Sequence, residues 1–161
     1  MDEKIKKKID DEISRINENF ESHSFLFDLS KLDKEPDLEF KDSASLFIHS
    51  FYNGIENIAK IIFKHTGEEI SNDSQWHKIL FNKLFESTEK RPELLNIEYK
   101  EQLQKYLFLR HIIRHTYSYI IDWKKVKPLL KDINELWEKI KNDINNFVKK
   151  CDLQNQHTSN H

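Results

Sequence analysis

Apolar residues recur along this chain at intervals of three and four, the spacing of helices that each bury one stripe. Ile5, Ile9, Ile13, Ile16 and Phe20 stand on a highly charged background and predict a first helix with a narrow apolar stripe, packed on the outside of the domain. The stretch from Phe25 to Lys41, with Pro36 and several acids, reads as a connection. Asp42 or Ser43 can cap a second helix through Phe47, Ile48, Phe51, Ile55, Ile58, Ile61 and Ile62, stopping at Gly67. It is apolar over much of its circumference, so it is the candidate centre of the core. Asn72 or Asp73 starts a shorter third helix with Trp76, Ile79, Leu80, Leu84 and Phe85, which Arg91-Pro92 breaks. A fourth runs from near Asn96 through Leu103, Leu107 and Ile112 to about Ile121. Asp122 then caps a short segment from Val126 to Leu130, followed by a last helix with Ile133, Leu136, Trp137, Ile140, Ile144 and Phe147.

Composition agrees with an all-α fold. The chain has 161 residues and only 2 Gly and 3 Pro, too few turn residues for a sheet with many hairpins. Charged residues make up 34% and hydrophobic ones 37%, a balance that suits amphipathic helices rather than a disordered chain. No repeat is visible. Residues 1–151 read as one domain and residues 152–161 as a flexible polar tail.

Net charge is −2, so no global basic field draws in nucleic acid and any RNA contact must come from a local patch. The lone Cys151 excludes an internal disulfide and a cysteine-only zinc site. The apolar runs are too short to cross a membrane, and Met1-Asp2-Glu3-Lys4-Ile5 lacks the apolar core of a signal peptide. A reducing cytoplasm is the expected compartment.

The densest chemistry lies in Leu107-Phe108-Leu109-Arg110-His111-Ile112-Ile113-Arg114-His115-Thr116-Tyr117. Arginine offers a permanent charge and a fork of donors matched to phosphate, and histidine exchanges protons near neutral pH. On a straight helix Arg110, Arg114 and Tyr117 share one stripe and His111 and His115 the next, whereas Arg110 and His115 diverge by about 140°. One copy of the motif does not close a site; a helix irregularity or a two-fold axis would. A solvated face, or a network with acids such as Glu56 or Asp122, is the competing interpretation. His111 and His115 are spaced to share a metal, but no Glu stands between them as in a zinc-protease helix. Glu56, on the core-rich second helix, is either an edge carboxylate or a partner for a motif arginine. His49, His65 and His77 read as core or surface histidines, with His77 ordering the third helix. Most aromatics read as core and dimer interface, and Lys124, Lys125, Lys127 and Lys131 as a wider phosphate-binding surface or a solvated run.

Five segments in order give a specific resemblance: His49-Ser50-Phe51-Tyr52-Asn53-Gly54-Ile55-Glu56, Trp76-His77-Lys78-Ile79-Leu80, Arg91-Pro92-Glu93-Leu94-Leu95, Phe108 to Tyr117, and Asp122-Trp123 with Pro128-Leu129-Leu130. Together they resemble the HepT-like members of the HEPN superfamily, from about the second helix onward. The strongest element is Arg-x4-His-x-Tyr, filled by Arg110, His115 and Tyr117, with polar His111 after the arginine.

The resemblance implies a HEPN-like bundle of about five main helices and a toxin-type endoribonuclease that cuts RNA without a metal or cofactor. In that scheme a 2′-hydroxyl attacks the adjacent phosphate. His115 would be the general acid or base, Arg110 would hold the phosphate, and His111 would orient the pair, with Arg114 and Glu56 in support. It also implies a homodimer whose motifs line a shared cleft, and a minimal nucleotidyltransferase (MNT) antitoxin that silences the nuclease by AMPylation of Tyr117, with Tyr119 a rival acceptor. Two other functions stay open: a catalytically silent docking subunit for a nucleotidyltransferase, and an RNA-binding accessory protein.

Overall fold

The computed structural model describes residues 1–70, 75–117 and 120–158; the side chains of residues 29, 31 and 153–158 lie outside that description. Six α-helices occur among them: α1 (Glu3–Ser22), the single turn α2 (Leu29–Leu32), α3 (Leu38–His65), α4 (Trp76–Lys83), α5 (Lys100–His115) and α6 (Trp123–Thr158). Short 3-10 turns at Ser24–Phe27 and Ile97–Tyr99 join them. No strand forms among the described residues, where one isolated bridge links Thr88 and Arg91. The all-α bundle read from the sequence is therefore the fold, with five main helices and one extra turn.

Helix α3 occupies the centre, burying Phe47, Ile48, Phe51, Tyr52, Ile55, Ile58, Ile62 and Phe63. Its cap is Asp37, which accepts from the Phe40 amide at 2.9 Å, rather than Asp42 or Ser43. The polar run Lys41-Asp42-Ser43 reads as a boundary in the sequence, yet Phe40 before it already packs partly against the core while Leu38 stays exposed. At the other end Gly67 adopts φ 72° and the Glu68 amide donates back to the Phe63 carbonyl at 2.9 Å, the glycine stop expected from sequence.

Helix α1 lies against α3 and buries only Ile9, Glu12 and Ile16. Its approach is close: a Cβ at Gly54 would sit 2.5 Å from Ile16 Cγ1, so only glycine lets the two helices meet there. Polar bonds fix its register, Asn57 donating to Glu12 at 3.0 Å and the Trp137 indole to Asn17 at 2.8 Å. Phe20, Phe51, Tyr106 and Trp137 stack edge-on or face-on where α1, α3, α5 and α6 converge.

Three boundaries differ from expectation. The third helix ends at Lys83, well before Arg91-Pro92. Arg91 instead serves the loop beyond it: fully buried at its side chain, it donates to the Lys83, Glu86 and Pro92 carbonyls and pairs with Glu68. The cap positions expected for that helix, Asn72 and Asp73, lie outside the described residues. The motif helix α5 ends at His115, not near Ile121, because Thr116 is extended at φ −136° and ψ 151°. The fully buried stripe of α5 stops at Leu109 and Arg110, and beyond it Ile113 packs only partly against the core, so little rewards further turns.

The last two segments are one helix. Pro128 sits inside α6, yet the buried row Val126, Leu129, Leu130, Ile133, Leu136 and Ile140 passes through it without a gap. Core burial and the Tyr106 hydroxyl, which donates to the Leu129 carbonyl at 2.7 Å, hold a backbone that proline by itself would weaken. The helix also continues into residues expected as a tail, through Thr158. Asp152 there accepts from the chain's amino terminus and from Lys6, both at 2.9 Å, which ties the end of α6 to the start of α1.

Candidate functional site

Arg110 faces the core rather than solvent. Its side chain is 8% exposed, its Nε donates to Asn53 Oδ1 at 2.7 Å, and Nη2 lies 3.3 Å from Glu56 Oε2. Both partners belong to α3, three residues apart and so on one face. The same Glu56 carboxylate accepts from a second helix: His77 Nδ1 of α4 is 2.7 Å from Oε1. One buried carboxylate thus holds a guanidinium on one oxygen and an imidazole on the other. Such a pair is retained inside a protein only when its hydrogen bonds are made, as these are.

Burial is the main force on His77, holding its imidazole below the usual histidine range. Arg110 and Arg114 push the same way, while the hydrogen bond to Glu56 opposes them. His49, one turn before Asn53 on α3, is also held low, by burial first and then by Arg110 and Arg114. Its Nδ1 is sealed from solvent and has no hydrogen-bond partner.

The far end of α5 is different. His111, Arg114, His115 and Tyr117 are all exposed. The His111 and His115 rings lie 4.7 Å apart, centroid to centroid. No group of three metal-ligating side chains occurs among the described residues. Because the helix stops at His115, Tyr117 leaves the Arg110–Arg114 stripe that a longer helix would have given it. It stands 72% exposed on the extended segment that follows. Tyr119 lies outside the described residues.

A groove of about 1040 Å³ runs along α5 between α4 and α6. Arg110, His111 and His77 all line it, together with Phe108, Lys105 and Lys125. Phe108 is 60% exposed. Of the lysines expected to widen a phosphate surface, Lys127 and Lys131 instead point to Asp33, at 3.0 and 3.9 Å, while Lys125 faces the groove.

The structure therefore brings Arg110 and Glu56 together and adds Asn53 and His77, which sequence reasoning did not place in the site. It does not bring Arg110 and His115 of one chain to a common point. The signal for the missed pair was available in part: Asn53 and Glu56 share a helical face, but nothing local links that face to α4. Glu56 was read as an edge group or a partner for a motif arginine, and it lies in ion-pair contact with one.

No helix among the described residues is long and apolar enough to cross a membrane. Compared with known proteins, the chain matches no curated sequence and no solved structure. A family model described as HepT-like protein does match it, over residues 43–151, about two thirds of the chain. The matched segment starts within α3 and contains Asn53, Glu56, His77, Arg110, His115 and Tyr117. With the Arg-x4-His-x-Tyr motif on α5 and the all-helical bundle around it, the chain belongs to the HepT-like proteins, a HEPN-type family of toxin–antitoxin components.

Proposed function

We propose that the chain is a metal-independent endoribonuclease toxin. Its substrate is RNA, whose 2′-hydroxyl attacks the neighbouring phosphate and leaves a cyclic phosphate end. His115 exchanges the proton, Arg110 neutralises the developing charge on phosphorus-bound oxygen, and His111 and Arg114 position the phosphate beside them. The single observation that carries this reading is the setting of Arg110: it is aimed by Asn53 and Glu56 and lines an open groove, while His111, Arg114 and His115 stand exposed on the same helix. A fixed guanidinium costs no reorganisation when charge develops, which is what electrostatic catalysis requires.

In this proposal two chains pair through α5, so that His115 of each copy reaches a site that one copy leaves open. An MNT antitoxin transfers AMP to Tyr117, whose exposure on the extended segment after α5 makes its hydroxyl reachable. The added phosphate then competes with RNA for Arg114 and Arg110.

The test is incubation of the purified chain with RNA in the presence of a chelator. Cleavage with cyclic phosphate ends supports the reading. Intact RNA sinks it and leaves the docking-subunit interpretation, which the ion pair between Arg110 and Glu56 favours because it already balances the arginine's charge. For the regulatory half, incubation with ATP and the nucleotidyltransferase followed by peptide mass spectrometry should find AMP on Tyr117; inhibition without modification means steric masking.

A further inference from the structure

A metal-free transesterification moves two protons, one off the 2′-hydroxyl and one onto the departing 5′-oxygen. Within one chain, α5 supplies Arg110 and His115 on diverging faces, so only one of these groups adjoins the groove. Helix α4 brings another histidine to Arg110 itself. His77 and Arg110 share one carboxylate, and both line the groove.

Resting on the nuclease reading above, we propose that His77, oriented by Glu56, is a second proton-transfer residue of the same site. A carboxylate only accepts hydrogen bonds, so the contact at 2.7 Å places the His77 proton on Nδ1 and leaves a lone pair on Nε2. Nε2 has no hydrogen bond among the described residues, and the ring is 17% exposed at the groove. A base whose tautomer is fixed by a buried acid is the arrangement that activates hydroxyl groups in unrelated hydrolases.

The surroundings favour the basic form. The groups facing the ring are Glu56 from α3 and Arg110 and Arg114 from α5, while Lys78 beside it on α4 also lines the groove. Burial and the two arginines outweigh Glu56 and keep the imidazole neutral at neutral pH. Trp76 packs on the ring with centroids 3.4 Å apart and is itself covered by Lys60 of α3 at 3.9 Å, so one side of the histidine is buttressed.

His77 Nε2 takes the 2′-hydroxyl proton, O2′ bonds to phosphorus, and the P–O5′ bond breaks. The leaving oxygen receives a proton from the imidazolium of the partner's His115, which reaches this site when two chains pair through α5. Arg110 stays charged throughout and faces the non-bridging oxygens.

His77→Asn tests this, because its amide can still donate to Glu56 but cannot act as a base. The readouts are the rate of cleavage of a single-stranded RNA against pH, the affinity for the matching 2′-deoxy strand, and the thermal midpoint. The expected result is unchanged affinity and midpoint, a rate lower by about a hundredfold or more, and loss of the limb along which the parent rate falls in acid. A variant that cuts within about twofold of the parent overturns the proposal. So does a slower variant that keeps the acid limb, because that result marks a packing role. A parent chain that cuts no RNA removes the nuclease reading and His77's role with it; the two failures are distinct, since one appears in the parent and the other only in the variant.

Discussion

Arg110 and Arg114 are one helical turn apart in the same motif and live in opposite environments. Arg110 is buried, bound to Asn53 and paired with Glu56, whereas Arg114 is exposed in the last turn of α5 beside His111 and His115. One sequence motif thus spans a buried half and an exposed half. Chemistry at the first cannot be separated from stability, because removing the guanidinium strands an acid inside the protein. Chemistry at the second can.

The largest effect is expected of Arg110→Ala. It should cost about 3 to 5 kcal/mol in urea unfolding, since Glu56 is left with His77 alone, and it should abolish cleavage as well. A loss below about 0.5 kcal/mol would mean that the pair is not part of what holds α5 to α3.

His115→Ala sharpens the other half. The proposal expects cleavage to fall by about a hundredfold or more, with unfolding free energy unchanged to within about 0.5 kcal/mol. An unchanged rate would remove His115 from the chemistry.

Gly54→Ala probes the support beneath the buried half, because Gly54 lies between Asn53 and Glu56 on α3 while facing α1. The new methyl meets Ile16 Cγ1 at 2.5 Å and Cδ1 at 2.7 Å, so the Ile16 side chain or α1 must give way, at a cost of about 1 to 3 kcal/mol. Combining it with Ile16→Ala should recover part of that loss in the same urea titration.

The smallest effect is that of pH. His49 and His77 are both held below the ordinary value of 6.5, so in acid the unfolded chain binds more protons than the folded one. Their contribution to stability is complete above 6.5 and is lost as pH falls through the lower folded values. Urea midpoints on either side of 6.5 should show the decline, and His49→Leu should make it shallower. A midpoint that rises in acid would contradict the burial of these rings.

Much of the fold is legible in the sequence because helical burial is local and periodic. The rows of isoleucine, leucine and phenylalanine marked α1, α3 and α6, and Gly67 marked the end of α3 at its left-handed residue. What periodicity missed were the first turn of α3, set apart from the buried row by polar Lys41, Asp42 and Ser43, and a helix that tertiary packing carries across Pro128. Within the candidate site, residue types and spacing singled out Arg110, His111, Arg114, His115, Tyr117 and Glu56, and the resemblance suggested a role for each.

Periodicity and composition alone make this chain all-helical, single out its central helix and place the densest run of arginine and histidine on α5. Tertiary packing turns Arg110 inward to Glu56, brings His77 of α4 to the same carboxylate, and ends α5 at His115, before Tyr117. The physical reason is distance along the chain. A helix and its stripe arise from neighbours three and four apart, but a buried charge is satisfied by whichever polar groups packing delivers. Here those groups lie 57, 54 and 21 positions away across two other helices, for Arg110 to Asn53, Arg110 to Glu56 and Glu56 to His77.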